Sequence, residues 1–432
     1  MAEILTGTLP ATGHVVSLQP VVRELVSRGH TVRWYTSERY ADEVETTGAQ
    51  LEPMSPHLDM FAGPLDELYP ERVELTALRR VKWDLKHLFM NPTAGQAEEL
   101  RLLHERRAAD VLLCDPGFGA ARMLSELGGP PWVSVGSTPL TLPSRDTAPF
   151  GSGLPPSSSK AGRARNALLR YVFNNIVMRD VLAHRDELRR RAGLPSSRED
   201  IMGSGVSPHL HLQSGVAGLE YPRSDLPAHV HFIGALADDV DTAHVMPHWW
   251  EAVRGLGLPI VHVTQGTVSN TELDDLLLPT LRALSQEDVV VVATLGNATS
   301  RSEFTGLPAN AYVAPYLPYH LLLPHISLMV TNGGFGGVNE ALRHGVPLVV
   351  AGRSEDKPEV AARVAHAGAG VDLRTATPDV AALHTAVRKV LDTPSYRHNA
   401  RALAAQYGEV QAGPRAAALI ERLARSTSSE HL

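Results

Sequence analysis

Short apolar runs alternate with amphipathic stretches along this chain. An apolar run at residues 2–8 is followed by apolar side chains spaced three and four positions apart, which is typical of a helix. The next apolar run, at 31–35, predicts a second strand. Two more runs, at 110–114 and 132–135, flank another helical stretch. This order of strand, helix and strand predicts a parallel α/β domain.

The first helix has start and stop signals in the sequence. Ser17 can act as its N-cap, and Pro20 would then fall in the first turn, where its missing N–H costs nothing. Gly29 follows the last apolar position and is expected to end the helix. Residues 13–16, with the sequence GHVV, are therefore predicted to form the turn between the first strand and this helix.

The same unit recurs in the second half of the chain. An apolar strand at 259–264 is followed by an amphipathic helix at 271–285 and a strand at 289–293. With 432 residues, the chain is too long for one ordinary core, because domains usually have about 100–200 residues. The predicted division is 1–235 for the first domain, 236–257 for an acidic linker, 258–410 for the second domain and 411–432 for a terminal segment.

A glycine-rich turn in the second domain carries the clearest chemical signal. An apolar strand leads into the sequence TNGGFGG, after which a helix is predicted to open at Gly337. Glycines let the backbone approach a ligand closely, and a helix N-terminus offers N–H groups to a phosphate. Glu340 follows on the rim, where its carboxylate can accept hydrogen bonds from a ribose. A second acidic turn, Glu355-Asp356, is expected at the same sheet edge. This pattern is typical of a nucleotide-sugar site.

Composition and charge narrow the choice of function. A net charge of −7, from 40 basic and 47 acidic side chains, argues against a nucleic-acid partner. The single cysteine, Cys114, excludes a disulfide framework and a thiolate zinc site. His209 and His211 alternate along one run but have no third ligand nearby, so we expect no metal site. No apolar run reaches the ~20 residues that span a bilayer, and the N-terminus has no basic leader, so we expect a cytoplasmic protein.

The second domain resembles the donor-binding signature of the nucleotide-sugar-dependent glycosyltransferases of the GT-B fold. The resemblance is to the bacterial branch that modifies macrolides and other natural products, which is related to the plant secondary-product enzymes. That signature contains His-Gly-Gly, Glu-Ala-Leu, Gly-Val-Pro, Asp-Gln-Pro and Ala-x-Arg-Val. The matching residues here are Gly333, Gly334, Glu340, Ala341, Leu342, Gly345, Val346, Pro347, Asp356, Pro358, Ala361, Arg363 and Val364. Asn332, Lys357 and Val360 depart from the usual histidine, glutamine and asparagine.

The resemblance implies the residues that bind the donor. Asn332 can still donate a hydrogen bond to a phosphate oxygen, whereas Lys357 leaves the sugar preference open. Tyr316 is implied to stack on the base, although a core tyrosine is an equal alternative, and Leu317 to offer backbone groups to the base edge. The implied donor-binding set is Thr267, Tyr316, Leu317, Asn332, Gly333, Gly334, Gly336, Gly337, Glu340, Asp356 and Lys357.

The catalytic candidates are His14 and Asp115 in the first domain. A hydroxyl that attacks a sugar needs a base, and a histidine can take its proton near neutral pH. Asp115 ends a neighbouring strand and can orient the imidazole. Each of the main candidates also has a structural alternative. His14 can be a tolerated turn residue. Asp115 and Asp356 can cap the helices that follow them, and Glu340 can be an acid favoured by the helix dipole.

The resemblance implies an inverting O-glycosyltransferase with two Rossmann-like domains that face each other across a cleft. The first domain would bind a hydrophobic, hydroxylated small molecule and the second a UDP- or TDP-sugar, with no metal or other cofactor. The terminal segment, 411–432, would cross back to the first domain. Two other classes stay open, a catalytically silent nucleotide-sugar binder and a nucleotide-sugar epimerase. The acceptor and the oligomeric state stay open as well.

Overall fold

The computed structural model describes residues 1–237, 245–266, 272–296 and 306–430, with side chains as far as 426. Within these residues the strands form two parallel sheets, one in each half of the chain. The first sheet contains β1 (Glu3–Gly7), β2 (Thr31–Thr36), β3 (Gln50–Pro53), β4 (Val111–Cys114), β5 (Trp132–Gly136), β6 (Leu210–Gln213) and β7 (Val230–Phe232). The second contains β8 (Ile260–Thr264), β9 (Val290–Thr294), β10 (Ala311–Ala314), β11 (Leu328–Thr331), β12 (Leu348–Val350) and β13 (Gly370–Asp372).

Helices connect the strands and cover the sheets. The helices of the first half are α1 (Thr12–Ser27), α2 (Ala41–Glu45), α3 (Leu65–Leu68), α4 (Ala77–Asp84), α5 (Thr93–Arg106), α6 (Gly119–Glu126), α7 (Lys160–Val172) and α8 (Arg179–Arg191). The later helices are α9 (Trp250–Gly255), α10 (Leu277–Ala283), α11 (Tyr319–Leu322), α12 (Phe335–Arg343), α13 (Lys357–His366), α14 (Val380–Asp392), α15 (Pro394–Gly408) and α16 (Ala412–Glu430). Two π-helical stretches continue α4 and α7, at Leu85–Met90 and Phe173–Val177. Short 3₁₀ turns lie at Glu38–Tyr40, Pro56–Leu58, Pro70–Arg72, Gly203–Gly205, Leu273–Asp275 and Leu323–His325.

Both sheets are doubly wound, as the sequence predicts. The strand order is β3-β2-β1-β4-β5-β6-β7 in the first sheet and β10-β9-β8-β11-β12-β13 in the second. In each sheet the order reverses beside the first strand, so a crevice opens at the carboxyl edge there. Gly7 pairs with Cys114, and Thr264 pairs with Thr331. The residues that follow these strands therefore emerge side by side.

The first helix begins earlier than the sequence signals predict. Helix α1 starts at Thr12, so the predicted turn at 13–16 is helical and Ser17 is not its N-cap. The Ser17 hydroxyl instead donates to the carbonyl of His14 at 3.0 Å, and Pro20 lies inside the helix. Val15 is buried with the later apolar positions of the stripe, which explains the extra turn. The predicted end at Gly29 is confirmed by its φ of 84° just beyond the C-cap.

Two helices of the second domain also differ from their predicted bounds. Helix α12 opens at Phe335 and not at Gly337, because the buried Phe335 side chain packs in the core from the first helical position. Helix α10 is shorter than the predicted 271–285. Its N-terminus is fixed at Leu277, whose N–H donates to Oε1 of Gln265 at 2.9 Å.

The last helix packs on the first domain, which confirms that the chain crosses back. Ala416, Ala417 and Ile420 of α16 are buried in the same cluster as Val22 and Leu25 of α1. By contrast, α15 belongs to the core of the second domain together with α12. Among the described residues, no helix combines the length and the apolar character needed to cross a membrane.

Candidate active site

A cleft of about 2010 Å³ lies between the carboxyl edges of the two sheets. His14 lines it from the first domain, and Asn332, Gly336 and Asp356 line it from the second. His14 and the candidate donor-binding turns therefore share one cleft, although they are more than 300 positions apart in the sequence. The doubly wound topology of each domain places its ligand-binding edge toward this space.

His14 and Asp115 are in direct contact. His14 is the third residue of α1, and its Nδ1 lies 2.8 Å from Oδ1 of Asp115, just after β4. The Asp115 side chain is buried, and it also accepts hydrogen bonds from the N–H groups of Leu9 at 2.9 Å and Gly117 at 2.8 Å. Helix α6 begins only at Gly119, so Asp115 is not its cap. The carboxylate is fixed in place and holds one nitrogen of the imidazole.

The surroundings of His14 favour its protonated form. Burial lowers the pKa of His14. The negative charge of Asp115 and its hydrogen bond raise the pKa, and the charges of Asp356 and Glu355 raise it further. The net result is a pKa above the ordinary 6.5. The His14 side chain is still 30% exposed. A partly exposed imidazole oriented by a buried carboxylate can accept a proton from a bound hydroxyl.

The turn after β11 depends on glycines at two positions. Gly333 has φ of 87°, and a Cβ there would lie 2.7 Å from Cγ1 of Val350. A Cβ on Gly352 would lie 1.9 Å from the carbonyl oxygen of Asn332. Only glycine fits such close approaches. The Asn332 amide donates to the carbonyl of Gln265, so the turns after β11 and β8 are tied together.

The N-terminus of α12 opens into the cleft. Gly334, Gly336 and Gly337 line the cleft there. The N–H of Val338 donates to the carbonyl of Gly334 at 3.0 Å, so the N–H groups of the preceding residues point beyond the helix end. A Cβ on Gly336 would meet no heavy atom within 4 Å. This open, glycine-rich helix end can hold an anionic group such as a phosphate.

Glu340 lies one turn into α12, behind this helix end. Its Oε1 is buried and lies 3.6 Å from Nη1 of Arg343. Burial raises the pKa of the Tyr319 hydroxyl to about 12, although a hydrogen bond to Thr264 opposes the rise and the nearby charge of Glu340 supports it. Tyr319 lines the cleft, whereas Glu340 is not among the described residues of the lining.

The second acidic turn faces the same space. Glu355 has φ of 55°, which is unusual for a residue with a side chain, and Asp356 stands at the N-cap of α13 without a side-chain cap bond. Burial raises the pKa of Asp356 to about 6, although Lys357 opposes this and Glu355 supports it. Lys357 is 5% exposed, and its ammonium group contacts the Glu355 carboxylate and lies 3.3 Å from the Ser354 hydroxyl. The turn offers a carboxylate and an ammonium group to a ligand.

Four predicted donor residues in the described part of the chain do not line the cleft, namely Tyr316, Leu317, Gly333 and Glu340. Thr267 lies outside the described residues. Leu317 is buried in the core of the second domain. Tyr316 is 44% exposed, so the alternative of a core tyrosine is wrong, and its stacking on a base stays a prediction.

Tyr319 and Gln265 are residues of the site that are absent from the predicted set. Gln265 directly follows β8 at the carboxyl edge, which is the position that the topology rule marks. Its backbone carbonyl anchors Asn332, and its side chain caps α10. Tyr319 carried no pattern signal, because it lies on a four-residue helix.

The first-domain side of the cleft is largely apolar. Its lining includes Phe61, Leu65, Leu78, Val81, Leu85, Phe89, Phe118, Phe173 and Val177. A loop from 137 to 159, which agrees with the irregular stretch that the sequence predicts, adds Phe150 and Leu154. Apolar walls beside His14 can hold a hydrophobic ligand with its polar group turned toward the imidazole.

Within the described residues, no group of three or more histidine, cysteine, aspartate or glutamate side chains could hold a metal ion. His211 is buried, and its two nitrogens contact the Ser134 hydroxyl at 2.7 Å and Oε1 of Gln213 at 3.1 Å. Burial lowers its pKa to about 4, because the charged form would be desolvated. His211 therefore has a structural role in β6, where its contact with Ser134 connects it to β5.

Comparison with known proteins gives a family model and full-length relatives. Residues 278–425 match the model described as erythromycin biosynthesis protein CIII-like, C-terminal domain. The chain is 44% identical over 426 residues to 4'-demethylrebeccamycin synthase of Lentzea aerocolonigenes, with 98% of this chain and 99% of that protein covered. It is 34% identical to UDP-glycosyltransferase 2 of Phaeomoniella chlamydospora, with 94% and 92% covered.

Solved structures show the same fold. The glycotransferase of kitacinnamycin superposes with a TM-score of 0.76 at 23% identity, with 98% of this chain and 99% of that chain covered. The spinosyn rhamnosyltransferase SpnG complexed with thymidine diphosphate superposes with a TM-score of 0.67 at 21% identity, with 98% and 99% covered. Both agreements extend over the two domains and the cleft between them.

Proposed function

The chain belongs to the nucleotide-sugar-dependent glycosyltransferases of the GT-B fold that act on natural products, and we propose that it is an inverting O-glycosyltransferase with His14 as its general base. The observation that carries the proposal is the contact of 2.8 Å between His14 and buried Asp115, in a cleft that also receives the N-terminus of α12. A base and an anion-binding helix end on opposite sides of one cleft suit transfer from a diphosphate donor to a hydroxyl.

The proposed step is a single displacement. Asp115 accepts the Nδ1–H of His14, which leaves Nε2 to take the proton of an acceptor hydroxyl. The acceptor oxygen forms a bond to the anomeric carbon as the bond from that carbon to the diphosphate oxygen breaks. The nucleoside diphosphate leaves with the bonding electrons, and Asp115 stabilises the resulting imidazolium. One displacement inverts the anomeric configuration, so an α-linked donor gives a β-glycoside.

The donor would lie along the second domain. The diphosphate would accept hydrogen bonds from the first turn of α12, and the helix dipole would favour its charge. The Asn332 amide has two hydrogens, and one of them is donated to the carbonyl of Gln265. The second hydrogen would be the one donated to a phosphate oxygen. Glu340 would bind the ribose, and Asp356 and Lys357 would contact the sugar. This arrangement would stabilise the leaving group without a metal ion.

The acceptor is proposed to be hydrophobic and hydroxylated. The apolar lining beside His14 supports this class, and the relative that shares 44% identity is named for the synthesis of a rebeccamycin derivative. The donor base is proposed to be uracil or thymine. One relative is named as a UDP-glycosyltransferase, and one structure with the same fold is complexed with thymidine diphosphate.

Calorimetric titration with UDP and, separately, TDP tests the donor site. We expect one of them to bind and Glu340→Ala to weaken that binding at least tenfold, because two ribose hydrogen bonds are removed. A control is Glu251→Ala, which changes an exposed side chain of α9 and should bind as the wild type does. Absence of binding by both nucleotides would contradict the proposal. Binding without transfer on any acceptor would favour the silent binder, and a changed sugar released without an acceptor would favour the epimerase.

A further inference from the structure

The loop between β5 and α7 belongs to the first domain in sequence but is attached to the second domain. The N–H groups of Gly151 and Gly153 both donate to Oε1 of Glu359, each at 2.8 Å. Glu359 lies in the first turn of α13 and is buried. Gly151 and Gly153 have φ of 90° and 61°, which lets successive N–H groups converge on one anion.

The anchoring carboxylate is itself held by a buried ion-pair network. The other oxygen of Glu359, Oε2, accepts from Nη1 of Arg363 at 2.7 Å. Arg363 also donates from Nε to both oxygens of Glu220 in the first domain, each at 2.9 Å. The side chains of Arg363 and Glu220 are 3% and 7% exposed. Both charged groups are therefore largely removed from water. Separating them would leave a buried charge without a partner, which is costly, so the pair holds both side chains in place.

The same network also fixes the start of the loop. Glu220 accepts from the N–H of Leu140 at 3.1 Å, and Arg223 donates to the carbonyl of Leu140 at 2.9 Å. Between this attachment and the contact with Glu359, the loop places Phe150 in the cleft lining. Helix α13 carries Asp356 and Lys357 at its N-terminus. One helix thus holds both the sugar end of the donor site and a wall of the acceptor site.

We propose that Glu359 is a positioning residue for the acceptor, which acts by holding the loop from 149 to 154 against the cleft. This proposal rests on the proposed function, because the acceptor site is defined by that function. The loop then has a fixed place relative to the donor sugar. Loss of the anchor releases Phe150 and Leu154 from the cleft wall and weakens acceptor binding, while the nucleotide contacts stay intact.

Two variants break the anchor from opposite sides. Glu359→Ala removes the carboxylate and leaves Arg363 paired with Glu220. Gly151→Ala leaves the buried network untouched, since a Cβ there meets no heavy atom within 4 Å, but its φ of 90° disfavours alanine. Glu359→Gln keeps one oxygen that can accept from the two glycine N–H groups, but its NH2 group then faces Nη1 of Arg363, so it should hold the loop only in part and give values between those of the wild type and Glu359→Ala. Glu251→Gln, an exposed acid on α9, is the matched control.

Hydrogen exchange and steady-state kinetics together test the proposal. In Glu359→Ala and Gly151→Ala we expect faster amide exchange at residues 150–154, an acceptor KM raised about tenfold and a donor KM within about twofold of the wild type. Unchanged exchange, an unchanged acceptor KM or an equal rise in both KM values would overturn it. The exchange experiment needs no substrate. A wild-type protein without transfer activity would therefore overturn the proposed function. The exchange rates of residues 150–154 would still show whether Glu359 holds the loop.

Discussion

Nδ1 of His14 lies 2.8 Å from Oδ1 of Asp115, although 101 positions separate the two residues in the sequence. The contact forms because β1 and β4 are neighbours in register, so that the segments following Gly7 and Cys114 leave the sheet together. Asp115 receives two backbone N–H groups in addition to the imidazole, which fixes its orientation. The pair is therefore part of the architecture of the first sheet.

Replacing His14 with alanine removes the proposed base. We expect His14→Ala to lower kcat by about 100- to 10,000-fold, which is the usual contribution of a positioned general base. Nucleotide binding should be unchanged, because the donor site lies in the other domain. Exposed His57→Ala is the control and should retain full activity. Steady-state kinetics and calorimetry check both statements, and a His14→Ala enzyme with normal turnover would exclude this mechanism.

The pH dependence should follow the His14–Asp115 pair. Neutral His14 is the active base, so kcat/KM is expected to fall as the pH drops through the raised pKa of His14, above 6.5. Asp115→Asn removes the main influence that raises this pKa and leaves the burial that lowers it. The acid limb should therefore move to lower pH while the maximal rate falls about 10- to 1,000-fold. A pH–rate profile that moves to higher pH in Asp115→Asn would contradict the assignment.

Two glycine variants should separate folding from anion binding. Gly333→Ala is expected to lower the free energy of unfolding by about 1–3 kcal/mol, because φ is 87° and Val350 stands 2.7 Å from the new Cβ. Gly336→Ala has open space around its Cβ and should keep the wild-type stability. Its methyl group would occupy the phosphate position, so UDP or TDP binding should weaken at least tenfold. Thermal unfolding and calorimetry measure both effects. Normal binding by Gly336→Ala would place the diphosphate elsewhere.

The proposed leaving-group stabilisation requires no metal ion. Extensive dialysis against EDTA should therefore leave kcat and both KM values unchanged, and later addition of Mg²⁺ or Mn²⁺ should not increase them. The physical reason is that the dipole and N–H groups of α12 balance the diphosphate charge. A loss of activity in EDTA that Mg²⁺ restores would show that this balance is incomplete.

The sequence predicted the elements that follow simple periodicity. Apolar runs identified β1, β4, β8 and β11, and the rule for parallel sheets placed Asp115 and Asn332 at a carboxyl edge. The predicted start of α1 is wrong, because burial of the apolar stripe, which continues back to Val15, outweighs the cap signal of Ser17. Burial of an apolar helix face determines where a helix begins more strongly than a single cap residue does.

The contacts between the two domains could not be predicted from the sequence. The bond from Gly151 to Glu359 spans 208 positions and depends on how the two domains meet. Neither partner has a distinctive pattern, since glycine in a polar loop and glutamate in a first helical turn are both common. The buried pair of Arg363 and Glu220 is equally hidden, although Arg363 belongs to the family signature.

Mass spectrometry of a transfer reaction shows whether the protein transfers a sugar with His14 as its base. Purified wild-type protein is incubated with UDP-glucose or TDP-glucose and a set of hydrophobic phenols and macrolides, beside His14→Ala and His57→Ala. We expect a product heavier by one hexose with wild type and His57→Ala only, and NMR of that product should show a β-linked sugar. Equal product from His14→Ala, an α-linked sugar, or a changed donor without any acceptor product would contradict it.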